Sequence, residues 1–212
     1  METKLTDNLE ILAKLDQMTA PRAEKLRAVA YQRQRGLMVV MEDVQNLHNL
    51  AAIARSCDAF GVQQIGVTVA NPANFDPQAG KAVSTSASKW LDYRLFEGGT
   101  AACIATLRAE GWHVMATALR EDALDIYEAD LAQHEKLALL VGNEKEGLSA
   151  TAVQMADSVL KIPMLGMIQS FNVSVATALS LYEITRQRRA SGRDYRLPEA
   201  EAEALLASFL AR

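Results

Sequence analysis

The chain has 212 residues, half of them hydrophobic and 23% charged, with 22 Lys and Arg against 26 Asp and Glu for a net charge of −4. Such a chain can build one sizeable core and is too apolar to be disordered. No apolar run nears the roughly 20 residues that span a bilayer, and the acidic average argues against a dedicated polyanion binder.

In chain order, two amphipathic helical stretches come first, at about 5–18 and 22–35. Short runs rich in Val, Ile and Leu follow at 37–41, 64–69, 113–117, 137–141 and 159–162, the pattern of strands buried on both faces. Helical patterns fall between and after them at 50–60, 100–110, 149–156 and 173–190, and a Pro-initiated helix covers 198–210. Strand and helix in alternation predict an α/β fold with a mostly parallel sheet. Three parts are expected: a helical extension over 1–35, the α/β domain over 36–190, and a helical tail over 191–212. Cys57 and Cys103 cannot form a disulfide framework, and METKLTDNLE lacks the layout of a secretory signal. A reducing, cytoplasmic setting with no membrane partner is expected.

Charge is unevenly placed. The stretch 22–35 holds Arg22, Lys25, Arg27, Arg33 and Arg35 against Glu24, and 186–196 holds Arg186, Arg188, Arg189, Arg193 and Arg196 against Asp194. Between them, 36–185 carries 9 basic and 17 acidic residues, a net of −8. The two basic stretches are either solvated helix faces or handles for phosphates.

Several chemistries lose support from missing motifs. The segment EDVQNLHNL after the first strand has no GxGxxG, and GxxxxGK[ST], GxSxG, HExxH and CxxC are also absent. With three histidines in the chain, neither a metal centre nor a His-based triad is expected.

Three segments instead place polar groups at strand ends. In NLHNLAAIAR, Asn49 stands where a helix N-cap belongs, and Arg55 lies off the apolar stripe of the helix. These two are either a cap and a surface charge, or groups aimed at a ligand on the carboxyl edge of the sheet, where α/β proteins bind ligands. In GNEKEGLS, Gly142 and Gly147 allow tight turns and close approach, while Asn143 and Glu144 bring an amide and a carboxylate to the end of a strand. In IPMLGMIQSFNVSVA, an apolar loop precedes a helix that starts near Ser170 or Asn172. A loop this apolar is expected to fold back into the protein or line a pocket.

In order and spacing, NLHNLAAIARSCDAFG, LLVGNEKEGLS and IPMLGMIQSFNVSVATALSLYE resemble the three motifs of the SpoU/TrmH family of RNA 2′-O-ribose methyltransferases. The resemblance is greatest to its tRNA guanosine-18 members. It implies a SPOUT fold with a trefoil knot around 137–190, a homodimer, and S-adenosylmethionine as methyl donor, leaving S-adenosylhomocysteine. It further implies that Thr117, Leu140, Gly142, Ile162, Met164 and Phe171 surround the donor, the family often having Leu where this chain has Phe171. Arg55 is then the catalytic arginine, and Asn49, Glu144, Ser170 and Asn172 shape the site. The two basic stretches take the places of segments that hold RNA. The substrate implied is tRNA, with 23S rRNA as the alternative. A donor-binding RNA chaperone without turnover and a small-molecule α/β enzyme are the rivals from other classes.

Overall fold

In a computed structural model of the protein, the structure describes residues 11, 14–15, 18–74 and 89–212. Helix α1 (Ala20–Gln32) leads into β1 (Gln34–Glu42), α2 (Leu47–Ala59) and β2 (Val62–Thr68). After a short 3-10 turn at Pro72–Asn74 come β3 (Asp92–Phe96), α3 (Gly99–Ala109), β4 (His113–Thr117) and β5 (Leu124–Asp125). The chain ends with β6 (Leu137–Val141), α4 (Ala150–Met155), β7 (Ser158–Lys161), α5 (Val173–Ala190) and α6 (Glu199–Ala211). No helix among the described residues is long and apolar enough to cross a membrane.

The seven strands make one sheet in the order β3-β2-β1-β6-β4-β7-β5. Its β1–β6, β2–β3, β4–β6, β4–β7 and β5–β7 pairs run parallel. Leu37 lies opposite Leu137 and Met41 opposite Val141, so the inward alternation of the two central strands is in phase. Leu37, Val39 and Met41 face one core with Leu50, Ile53 and Cys57 of α2 and Leu181 and Ile184 of α5. Met38 and Val40 face the other with Cys103, Ile104 and Leu107 of α3 and Ala152 of α4. Covering both faces is what a parallel sheet of continuous apolar strands requires, since every side chain then leaves water. Each large residue so buried contributes about 1.5–3 kcal/mol relative to exposure.

The chain divides into two compact units, Gly36–Tyr195 with the sheet and Met1–Arg35 with Arg196–Arg212. Its two ends, read from sequence as separate extensions, thus share a unit. Within that unit α1 packs on α6. Gln34 bridges Arg196, and Leu197 N–H donates to Arg33 O at 3.0 Å.

Sequence and structure agree to the residue at 113–117, 137–141 and 173–190, and to within three residues at the expected strands 37–41, 64–69 and 159–162 and helices 50–60, 100–110, 149–156 and 198–210. The helix expected over 22–35 stops at Gln32, because Gln34 and Arg35 have already joined β1. Most of the stretch 5–18 lies outside the described residues. Strands β3 and β5 fall outside the runs expected to be strands.

Candidate functional site

The three motif segments meet on the carboxyl side of the sheet. Asn46, not Asn49, caps α2: its side-chain oxygen accepts from His48 N at 2.9 Å and Asn49 N at 3.4 Å. This corrects the expected cap, and the shift has a consequence. Asn49 falls in the first turn of the helix, 8% exposed, with its amide free to reach other elements. It donates through Nδ2 to Glu144 Oε1 at 2.7 Å, and its Oδ1 accepts from Asn172 Nδ2 at 3.1 Å. Asn172 in turn caps α5, its Oδ1 accepting from Ser174 N at 2.9 Å and Ser174 Oγ at 2.6 Å. One directional chain of donors therefore runs from α5 through α2 to the carboxylate of the loop after β6.

That loop is a closed hairpin. Asn143 and Gly147 exchange backbone hydrogen bonds at 3.1 and 3.2 Å, while Asn143 Oδ1 accepts from Lys145 N and Glu146 N, both at 2.8 Å. A Cβ on Gly142 would lie 2.1 Å from the Gly147 carbonyl carbon, and Gly147 has φ +71°. Both glycines are thus required by the turn itself: the first by close backbone approach, the second by a left-handed conformation.

Ends of three neighbouring strands supply the adjoining wall. Ala116 of β4 pairs with Leu140 of β6, and Thr117 pairs with Leu160 of β7. Thr117 Oγ1 donates to Leu140 O at 3.0 Å, which ties β4 to β6 where Gly142 begins the hairpin. Ile162 and Met164 leave β7 half-buried. The apolar loop does not fold back as expected: Leu165 and Met167 are fully exposed, Ile168 is 62% exposed, and Ser170 and Phe171 also face solvent. Val175, Leu179 and Tyr182 continue this apolar surface along α5, four and three residues apart on one face.

Arg55 is exposed on α2, six residues beyond Asn49, and its side chain makes no hydrogen bond or ion pair with another described residue. The basic stretches separate into two groups. Arg22, Lys25, Arg27, Arg35, Arg186, Arg189 and Arg193 are exposed, Arg186 being paired with Glu183 at 2.6 Å. Arg33 and Arg188 are 1% and 2% exposed, which corrects the expectation that they contact RNA. Arg188 donates to Gly36 O at 2.7 Å and lies 4.3 Å over the Tyr195 ring, and burial lowers its pKa to about 10. Arg33 sits 5.9 Å over the Phe209 ring. Both stabilise the fold through aromatic stacking and the packing of their side-chain stems.

A sequence reading missed Glu42. It ends β1 only 1% exposed and accepts from Ser149 N at 2.7 Å, Ser149 Oγ at 2.8 Å and Thr100 Oγ1. The signal available was an acidic residue directly continuing an apolar strand, where a turn residue is not yet due. No group of His, Cys, Asp and Glu among the described residues is arranged to hold a metal ion.

A parallel α/β sheet with these three segments at its carboxyl edge matches the family model described as the SpoU rRNA Methylase family over residues 36–182, and the chain belongs to that family. Among its relatives, a tRNA (guanosine(18)-2′-O)-methyltransferase of Thermus thermophilus is 42% identical over 174 residues, covering 82% of this chain and 87% of that protein. The enzyme of the same name from Escherichia coli K12 is 37% identical over 194 residues, covering 89% and 82%. The crystal structure of the A. aeolicus TrmH/SpoU tRNA modifying enzyme superposes with a TM-score of 0.76 at 32% identity, covering 91% of this chain and 96% of that one. The AdoMet-bound rRNA methyltransferase from Sinorhizobium meliloti gives 0.59 at 28% identity, covering 76% and 59%.

Proposed function

We propose that this protein transfers a methyl group from S-adenosylmethionine to the ribose 2′-OH of guanosine 18 in tRNA, acting in the cytoplasm as a homodimer. The observation that carries the reading is the hydrogen-bonded bridge through Asn49, which joins all three motif segments at one edge of the sheet. The names of the relatives above support the substrate.

The residues present fit the donor. Ile162, Met164 and Phe171 offer apolar surface for a purine and an alkyl sulfonium, and the Thr117–Leu140 link and the Gly142 turn leave backbone groups at the strand ends to fix orientation, Leu140 itself being buried in the core. When bound, the donor supplies an electrophilic methyl group on a sulfonium. A trefoil knot formed by 137–190 is part of the proposal, the loops before α4 and α5 being those that would close on the donor.

A ribose hydroxyl is a poor nucleophile at neutral pH, so the site must orient it and stabilise charge as the proton leaves. Arg55 is suited to this: a permanently charged fork of donors can hold the 2′-oxygen and an adjacent phosphate together. Proton loss then runs to that phosphate or to water. Asn49, Asn172 and Glu144 hold the helix starts and the hairpin in register around the reacting groups, and Ser170 lies at the mouth of the loop. The exposed cations of the two basic stretches would hold the RNA backbone. The apolar surface of Leu165, Met167, Val175, Leu179 and Tyr182 supports pairing with a second copy, since exposed patches of this kind mark contact sites.

The test is incubation with labelled donor and purified tRNA or 23S rRNA, followed by nucleoside and position analysis. Label at the 2′-oxygen of guanosine 18 in tRNA supports the proposal. Label confined to rRNA favours the ribosomal alternative, and donor binding with no product favours a chaperone.

A further inference from the structure

We propose that Glu42 is a positioning residue for methyl transfer, holding the Gly142–Ser149 hairpin so that Glu144 meets Asn49. The proposal rests on the methyltransferase reading above. Glu42 follows Val40 on the face of β1 that packs against α3 and α4, as two-residue alternation requires. Its carboxylate lies where both helices begin. Thr100, in the first turn of α3, donates its hydroxyl; Ser149, the N-cap of α4, donates both backbone N–H and hydroxyl. The Ser149 Oγ also accepts from Ala152 N at 3.1 Å, so its proton is directed at Glu42 while its lone pair caps the helix. The Thr100 hydroxyl also lies 3.1 Å from Val69 O; the Ser149 N–H and hydroxyl are both donors to the carboxylate, and helix N-termini favour negative charge beside them.

The next residue works on the opposite side. Asp43 adopts φ +52°, a conformation L-residues rarely take, and its N–H donates to Thr68 O at 3.1 Å while its Oδ2 accepts from Ala70 N at 3.0 Å. Two consecutive acidic residues therefore fasten β1 in two directions at the edge where the site is built: Glu42 to the hairpin's exit, Asp43 to the end of β2. The hairpin's entry is already fixed by β6 and Gly142. Its exit has no comparable strand: Leu148 packs on the core at that point, and the Glu42–Ser149 bonds fasten the backbone next to it to β1. Glu144 lies between these two anchors. Loss of the second anchor releases the carboxylate that Asn49 must meet.

Glu42→Gln keeps the shape but turns an amide N–H₂ toward at least one donor. The test compares Glu42→Gln, Ser149→Ala and the double variant with the native protein. Readouts are kcat and KM for RNA, thermal melting, and hydrogen exchange of the Lys145, Glu146 and Gly147 amides. Expected is a tenfold or greater fall in kcat for Glu42→Gln with KM for RNA within twofold. The hairpin amides exchange faster while strand amides in β1 and β6 do not. The double variant is no worse than the more severe single variant. Unchanged kcat, unchanged hairpin exchange, or additive effects in the double variant overturn the proposal. If Glu42→Gln does not fold, Ser149→Ala alone must show the same kcat fall and hairpin exchange. A native protein without methyl transfer defeats the functional reading instead, and the exchange readout still decides the role of Glu42 in anchoring the hairpin.

Discussion

Asn49 and Glu144, 95 positions apart in sequence, share a 2.7 Å hydrogen bond in which the amide donates and the carboxylate accepts. A charged acceptor makes this bond worth about 1.5–3 kcal/mol. Neither residue makes it alone, so Asn49→Ala, Glu144→Ala and the double variant should be strongly non-additive in kcat/KM. The expected coupling is about 1–3 kcal/mol, read from methyl-transfer kinetics in a double-mutant cycle. Additive losses would show that the two groups act independently.

Neighbouring arginines on α5 should behave in opposite ways. Arg188 is buried against Tyr195 and the Gly36 carbonyl, so Arg188→Ala should cost about 2–4 kcal/mol in urea unfolding by removing packing and leaving an acceptor unmet. Arg189 is exposed, so Arg189→Ala should leave the unfolding midpoint in place. Its effect should appear in RNA binding, as weaker affinity and a log–log salt slope reduced by about one.

Histidine titration should set stability near neutrality. His113 and His134 stack at 3.6 Å between centroids, and His113 Nε2 lies 2.8 Å from Ser158 Oγ. Burial lowers the pKa of both, and for His134 the adjacent imidazole lowers it further. The folded protein then binds fewer protons than the unfolded chain below about pH 6.5. The stability from the neutral pair is complete above that value and is lost as pH falls through it toward the lowered native values. Unfolding midpoints at pH 7.5 and 5.5 should differ in this direction, and a His113→Gln/His134→Gln variant should narrow the difference.

The exposed apolar face of α5 gives a separate expectation. Leu179→Arg places a charge in the middle of the Val175–Leu179–Tyr182 stripe without disturbing the buried Leu181 and Ile184. Sedimentation should report a dimer for the native chain and a monomer for the variant, with far-ultraviolet circular dichroism unchanged. A native monomer would remove the dimer from the proposal.

Much of the fold was legible because its elements are locally consistent. LALLV and HVMAT announce buried strands, and the long helix over 173–190 carries its own cap in Asn172. β3 was missed because DYRLF on an outer strand mixes charge with apolar residues, and β5 because a two-residue strand has no period to read. Asn46 and Asn49 compete as caps in NLHN, and local chemistry does not separate them; Glu144, distant in sequence, takes Asn49 for another purpose. The buried arginines did carry a signal. Leu181, Ile184 and Arg188 follow three- and four-residue steps, as do Leu26, Ala30 and Arg33, so each arginine continues an apolar stripe rather than a solvated face.

The pairing of α1 with α6 bears on how the protein is made. Leu26 and Ala30 of the first helix are buried in a unit that also buries Leu205, Leu206 and Phe209, which the ribosome adds only after the whole of Gly36–Tyr195. All seven strands of the sheet are made before α6 and can pair during synthesis, whereas this helix pair waits for α6 and a long loop closure. A chain stalled before residue 199 would carry a nearly complete sheet beside an unpaired α1, exposing the apolar side of the helix that bears Arg22, Lys25 and Arg27 to chaperones and proteases.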